Sequence, residues 1–245
     1  MNYKMTFELK TVLKNFTLFA RLGGNSKTGK GVMISILPNG GFDLETVRSK
    51  GSSACGDCPH ATTAKREAEY KRLHGKLKVF KHGTCYVYKR VGGSQGALGG
   101  INNGFHRCDT VSLVKFIQQI TVLAELTGFI RIGEFGDPAA DMQTADIIAA
   151  LLVSIDSEVV RAAYTHQWRK AKAKNLKGLV MASCENDKEK SKALKNGWSV
   201  FQVVGRKDII KGIHCPAQKT GGEINCDMCG KCDGIGNKLI QINLH

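Results

Sequence analysis

Nine of the 245 residues are cysteines, and their spacing carries the most specific chemistry in the chain. Cys215, Cys226, Cys229 and Cys232 run as C-x10-C-x2-C-x2-C. Two-residue spacers let successive thiolates fold round one centre, and Gly230 permits a tight loop between them. Four thiolates can hold a tetrahedral zinc ion or a 4Fe–4S cube. A structural zinc ribbon usually sets two C-x2-C pairs well apart. Here three cysteines run together, with a remote fourth followed by Pro216. That arrangement points to an iron–sulfur cluster first and to zinc as the alternative.

A second set lies upstream. Cys55-Gly-Asp-Cys58-Pro is a C-x2-C pair, followed by Cys85 and Cys108. Residues 59–84 must loop out if Cys55, Cys58 and Cys85 are to share one site. Cys108 or Cys184 could supply a fourth thiolate, and either could instead be a small buried apolar side chain. His60, His82, His106 and His214 lie near cysteines and are further ligand candidates, although a single histidine is more often a hydrogen-bonding surface group. The N-terminal Met1 to Lys14 alternates polar and apolar residues without a signal-peptide core. The chain has no run of about 18 apolar residues. A cytoplasmic protein without a membrane partner is therefore expected, and clustered thiols in that reducing compartment usually hold metal.

The net charge is +15, and it is unevenly spread. Residues 1–100 carry 17 Lys/Arg against 6 Asp/Glu, whereas residues 101–150 carry 3 against 6. A basic first segment suits a polyanion, so nucleic acid is the expected partner. Lys170, Lys172, Lys174 and Lys177 add either to that surface or to a solvated helix face. The Gly24 to Gly31 link is not a phosphate-binding loop. Gly31 follows Lys30 where that motif needs Ser or Thr, so a hairpin is expected.

Strands are expected over 13–21, 31–37 and 76–90, and a charged helix over 61–74. The glycine-rich Gly92 to Gly100 reads as a loop or linker. From residue 110 the pattern becomes regular. Helices over 110–126, 141–155 and 187–196 alternate with strands over 129–132, 159–164, 178–184, 199–204 and 209–215. That alternation is the signature of β/α units on a parallel sheet. Polar residues gather after the strands: Gly133, Glu134 and Asp137; His166 and Arg169; Cys184 and Glu185; His214 and Cys215. In β/α folds such strand ends carry the site. Glu134, Asp137 and His166 are thus the catalytic candidates. For Asp137, capping the next helix is an equal reading. Tyr164-Thr-His-Gln-Trp-Arg could stack and clamp a base or phosphate, or pack Trp168 in the core.

Cys-x2-Cys-Pro, a later Cys-Tyr and a strand ending in Gly133-Glu-Phe-Gly-Asp-Pro, followed by β/α units, resemble bacteriophage-encoded iron–sulfur proteins. That group is distantly similar to the radical S-adenosylmethionine superfamily. The resemblance spans about residues 52–215 and implies a partial or distorted β/α (TIM-like) barrel. It also implies one or two 4Fe–4S clusters, with S-adenosylmethionine on an open iron. Gly133 and Glu134 would contact that cofactor, and the C-terminal cysteines would form an auxiliary cluster. The superfamily's C-x3-C-x2-C is absent here, and a fourth thiolate from Cys108 or Cys184 would close the first cluster. The expected organisation is an N-terminal hairpin over 1–50, a barrel-like core over 51–214 and a cysteine-rich segment over 215–245. Two functions stay open: a redox or radical enzyme acting on nucleic acid or a nucleotide, in the host cytoplasm if phage-encoded, or a non-catalytic nucleic-acid-binding protein with structural metal.

Overall fold

The computed structural model describes residues 7–41, 53–55, 93–206 and 208–243. The helix and strand expected over 61–74 and 76–90 lie outside them, as do Cys58, Cys85, His60 and His82. Strands β1 (Glu8–Val12), β2 (Phe16–Asn25) and β3 (Gly29–Pro38) form an antiparallel meander. The β2–β3 turn is the expected hairpin. The Asn25 side chain accepts from the Lys27 and Thr28 amides at 2.9 and 3.1 Å, which fixes its bend.

From β3 onward the pairing is parallel, through β4 (Phe129–Ile132), β5 (Val160–Thr165), β6 (Met181–Cys184) and β7 (Val200–Val204). The last strand in the chain, β9 (Leu239–Asn243), slots between β7 and β8 (Ile213–His214). The sheet therefore runs β1-β2-β3-β4-β5-β6-β7-β9-β8. Among the described residues β1 and β8 are the two edge strands, and no pairing joins them. The α/β expectation holds as a mixed fold on a mostly parallel nine-stranded sheet.

Among the described residues four helices of two turns or more accompany it: α1 (Gly93–Arg107), α2 (Leu113–Thr127), α3 (Met142–Ser154) and α4 (Asp187–Lys195). Two single turns follow, α5 (Pro216–Lys219) and α6 (Cys226–Cys229). Side-chain caps start α2, α3 and α4 at Ser112, Asp141 and Asn186, and Gly128 ends α2 in the left-handed conformation. The cap of α3 is thus Asp141, not Asp137.

The main core lies on one sheet face. Phe116, Ile120 and Ala124 of α2 and Ile148 and Leu152 of α3 pack with Val32, Ile34, Ile130, Ile132 and Ala163. Full burial of each large side chain contributes about 1.5–3 kcal/mol. The other face carries the alternate strand residues. There Met33, Phe129 and Ala162 pack with Val160, Cys226 and Cys232. A parallel sheet needs both faces covered, and the cysteine segment covers part of the second.

Three expectations change. The glycine-rich run is helical from Gly93, because Ile101 and Phe105 are buried against the meander. Gly104 lets α1 approach closely, since a Cβ there would stand 2.8 Å from the Phe19 ring. Tertiary packing outweighs glycine's poor helix propensity. The strand expected over 209–215 shrinks to two residues, and β9 takes the neighbouring place. The boundary expected at residue 215 falls inside one sheet, because β9 pairs with both β7 and β8.

Candidate metal centre

The C-terminal cysteines are brought in by separate anchors. Cys215 follows β8 and caps α5, with its amide donating to the Gln241 carbonyl of β9 at 3.0 Å. Cys226 opens α6, which is fastened to the β2–β3 turn. The Cys226 and Asp227 amides donate to the Lys27 and Thr28 carbonyls at 3.1 and 3.2 Å. The Lys30 amide donates to Asp227 Oδ2 at 3.0 Å. Gly29 is obligatory at this contact: its φ is 76°, and a Cβ would fall 1.8 Å from the Asp227 carboxylate. Gly230, at φ 62°, then turns the chain toward Cys232.

Two polar strand residues share this face. Arg131 sits in register between Met33 and Ala162. Two positions beyond Ala162 on the same strand stands Tyr164. The Tyr164 ring rests on Phe201 with centroids 4.8 Å apart.

The thiols act on one another. Burial pushes the Cys232 thiol up to about 12; the Tyr164 hydroxyl pulls it down, and Cys226, Cys215 and Cys229 push it further up. Burial also raises Cys226, against the pull of the Arg131 cation, and Cys215 and Cys229 add to the rise. Burial raises Tyr164 well above a free phenol, helped by Cys232 and Cys226. Four neighbouring thiolates are therefore costly until a cation neutralises them, and a bound metal reverses that balance. Among the described residues, no group of three or more His, Cys, Asp and Glu side chains is closed up as a metal site. Cys226 and Cys229 share one helical turn, and a metal would have to draw the four thiols together. The donor set itself fits a thiolate-ligated cluster or zinc.

The remaining described cysteines stand elsewhere. Cys55 lies half-buried in a 3-10 turn, Ser53–Cys55, whose Ala54 carbonyl accepts from the Asp137 amide at 2.8 Å. Cys108 ends α1 beside β1, its thiol 3.8 Å from the Phe105 carbonyl, and burial raises it. Cys184 is buried in the helix-side core with Ala182 and Val200, and burial pushes it up to about 12. Cys184 thus occupies the place of a small apolar side chain. His214 is bound to Gln218 at 3.0 Å, and His106 packs edge-on against Phe105.

The strand-end residues form a separate polar rim. Asp137 is buried. Its Oδ1 accepts from the Ala139 amide (2.8 Å) and the Thr165 hydroxyl (2.7 Å), and its Oδ2 accepts from the His166 amide (2.9 Å). Desolvation raises its pKa above the usual carboxylate range in spite of those bonds. It ties the end of β4 to the end of β5. Glu134 is held by Arg21 of β2 through both carboxylate oxygens. His166 Nε2 lies 3.2 Å from Glu185 Oε1. Trp168 is buried and donates to the Ser183 carbonyl at 3.1 Å. Arg169 stacks on Trp168 and pairs with Glu189 at 2.6 Å. Gly133 takes φ 77°, and its amide donates to the Ile34 carbonyl at 2.9 Å.

The sequence reading missed Arg21, Arg131 and Glu189, and it read Tyr164 only as part of a clamp. One signal was available: an arginine inside the four-residue apolar strand Phe-Ile-Arg-Ile must meet something polar. No family model, curated protein or solved structure matches this chain. Among the described residues, no helix is long and apolar enough to cross a membrane.

Proposed function

We propose that this chain is an iron–sulfur protein whose Cys215, Cys226, Cys229 and Cys232 carry a 4Fe–4S cluster. The observation that carries this reading is the packing of Cys226 and Cys232 on one sheet face, with Cys229 in the same helical turn as Cys226. Their C-x10-C-x2-C-x2-C spacing favours a cluster over zinc. When bound, the cluster supplies one-electron chemistry. The chain's own part is to present four thiolates, shield two of them behind Met33, Phe129 and Ala162, and offset their charge with Arg131.

The wider reading is a redox or radical S-adenosylmethionine-like enzyme in a partial β/α barrel, acting on nucleic acid or a nucleotide. Strand order supports it, because β3 to β7 follow the chain without reversal, as in a barrel cut open. The half-buried Cys55 also supports it, because the neighbouring Ala54 carbonyl accepts from the Asp137 amide and brings this one cysteine of the first set to the Gly133–Asp137 loop. There Cys55, Cys58 and Cys85 would hold a second cluster. Glu134 could reach a bound cofactor only by sharing its Arg21 partner. The +15 charge supports a nucleic-acid partner.

Anaerobic purification with iron and sulfide counts and a visible spectrum tests the first claim. A brown protein with about four of each per cluster is expected. A colourless protein holding only zinc would overturn it. Reduced protein with S-adenosylmethionine should release 5′-deoxyadenosine; none, with clusters intact, leaves electron transfer or structural support of nucleic-acid binding. That binding should weaken steeply with salt.

A further inference from the structure

Residues 169–196 hold nine Lys/Arg against three Asp/Glu. They comprise the 3-10 helix Ala171–Leu176, strand β6 and helix α4. Two contacts lay the 3-10 helix alongside α4. Arg169, just before it, pairs with Glu189 in the first turn of α4 at 2.6 Å. Lys177, just after it, donates through Nζ to the carbonyl of Asn196, the C-cap of α4, at 3.3 Å. Beneath both, Ala173, Leu176 and Ala193 are buried in the main core, so the two segments share one surface. Lys188, Lys192 and Lys195 recur at i, i+4 and i+7, which makes one stripe of α4, and all three are exposed. Lys192 falls between the Glu189 and Asn196 contacts. Lys174 is exposed on the 3-10 helix.

The acids of this stretch are already engaged. Glu189 holds Arg169, Asp187 holds Lys190 at 2.6 Å, and Glu185 lies 3.2 Å from His166. Among the described residues, no carboxylate pairs with Lys174, Lys188, Lys192 or Lys195. We propose that this face is the docking surface for the phosphate backbone of a nucleic-acid duplex, contacted by Lys174, Lys188, Lys192 and Lys195. This rests on the nucleic-acid reading of the net charge and adds the surface that binds. The makeup of the face selects that partner. A membrane surface would call for apolar side chains beside the lysines. No large apolar side chain is exposed between residues 169 and 196. A single strand would call for aromatic platforms, yet Trp168 and Trp198 are buried. A duplex presents about one charge per 1.7 Å of its axis, and a row of cations is enough to hold it.

The test is fluorescence anisotropy of a labelled mixed-sequence duplex with the full chain, from about 50 to 200 mM salt. Duplex DNA and duplex RNA are both used, and binding of either through these lysines supports the proposal. One variant combines Lys174→Gln, Lys188→Gln, Lys192→Gln and Lys195→Gln, which keeps good helix formers. It should bind about tenfold more weakly or worse, and its slope of log K against log salt should fall by about 2–4. A second variant makes the same charge change at exposed lysines elsewhere: Lys14→Gln, Lys27→Gln, Lys115→Gln and Lys219→Gln. Its slope should change by about 1 or less. Equal losses in the two variants would overturn the surface and leave only general charge attraction. Wild-type protein that binds neither duplex would refute the nucleic-acid reading, and the surface with it. A single strand bound more tightly than the duplex would overturn the assignment. So would phosphatidylserine vesicles captured by the same four lysines when the duplexes are not. On the wild type, lysine acetylation read by mass spectrometry gives a check that needs no variant. The duplex should shield these four lysines, and equal acetylation with and without it would refute the contact.

Discussion

The two polar regions of this sheet are built in opposite ways. On the face away from α2 and α3, Cys226 and Cys232 are packed against the sheet, and burial and the other thiols raise the cost of ionising both. At the strand ends, the polar groups satisfy one another. Asp137 takes three donors, Glu134 takes Arg21, and Arg169 takes Glu189. The first region is a set of like groups with Arg131 as the cation acting on Cys226, and four thiolates there would need the further positive charge that a metal supplies. The second is largely balanced and acts to join β4, β5 and β6. A cluster of reactive residues is thus informative according to whether its members repel or complete one another.

The contrast predicts the largest effect at the thiols. Cys226→Ala or Cys232→Ala should remove about four iron and four sulfide per chain and lower the melting temperature sharply, because metal binding and folding are coupled. Cys184→Ala should keep the full metal content and cost only about 1 kcal/mol as a small core truncation. Equal metal loss in Cys184→Ala and Cys226→Ala would break the division.

Next comes the rim. Asp137→Ala strands a buried hydroxyl and two amides and should cost about 3–5 kcal/mol in denaturant unfolding, as removal of a buried hydrogen-bonded charge does. Its pH dependence has a definite sign. Asp137 has a raised folded pKa, so folding favours the protonated acid. That contribution is whole below the ordinary aspartate pKa and is lost as pH rises through the raised value. Unfolding free energies measured across this window should fall more steeply with pH in the wild type than in Asp137→Asn. Gly136→Ala should cost about 2 kcal/mol or more, from its φ of 79° and a Cβ placed 2.3 Å from the Ile36 carbonyl oxygen. The smallest effect is expected at Arg21→Ala. An ion pair whose side chains are 25% and 20% exposed should be worth about 1 kcal/mol, and less at high salt.

Much of the architecture was legible locally. Helical spacing over 110–126 and 141–155 gave α2 and α3, and short β-branched runs gave β4, β5 and β7 within a residue or two. α1 was not legible, because its glycines speak against a helix and only the close approach to Phe19 explains them. Nor was β9, whose Leu-Ile-Gln-Ile-Asn is short and lies beyond the cysteines. At the site, the four thiols stood out by spacing. Their sheet partners, Arg131 and Tyr164, lie about 50 to 100 positions upstream and could not be joined to them by any local rule.

The sequence by itself determined that four thiols recur at metal-binding intervals and that β/α units follow residue 110. Both are short-range properties, set by side-chain type and period. Only the tertiary structure decided which sheet face the thiols cover and that Cys184 turns into the opposite core. It also decided that Asp137 joins two strand ends and that Tyr164 stacks on Phe201. Alternation along a strand assigns residues to two faces, but only packing determines what covers each face.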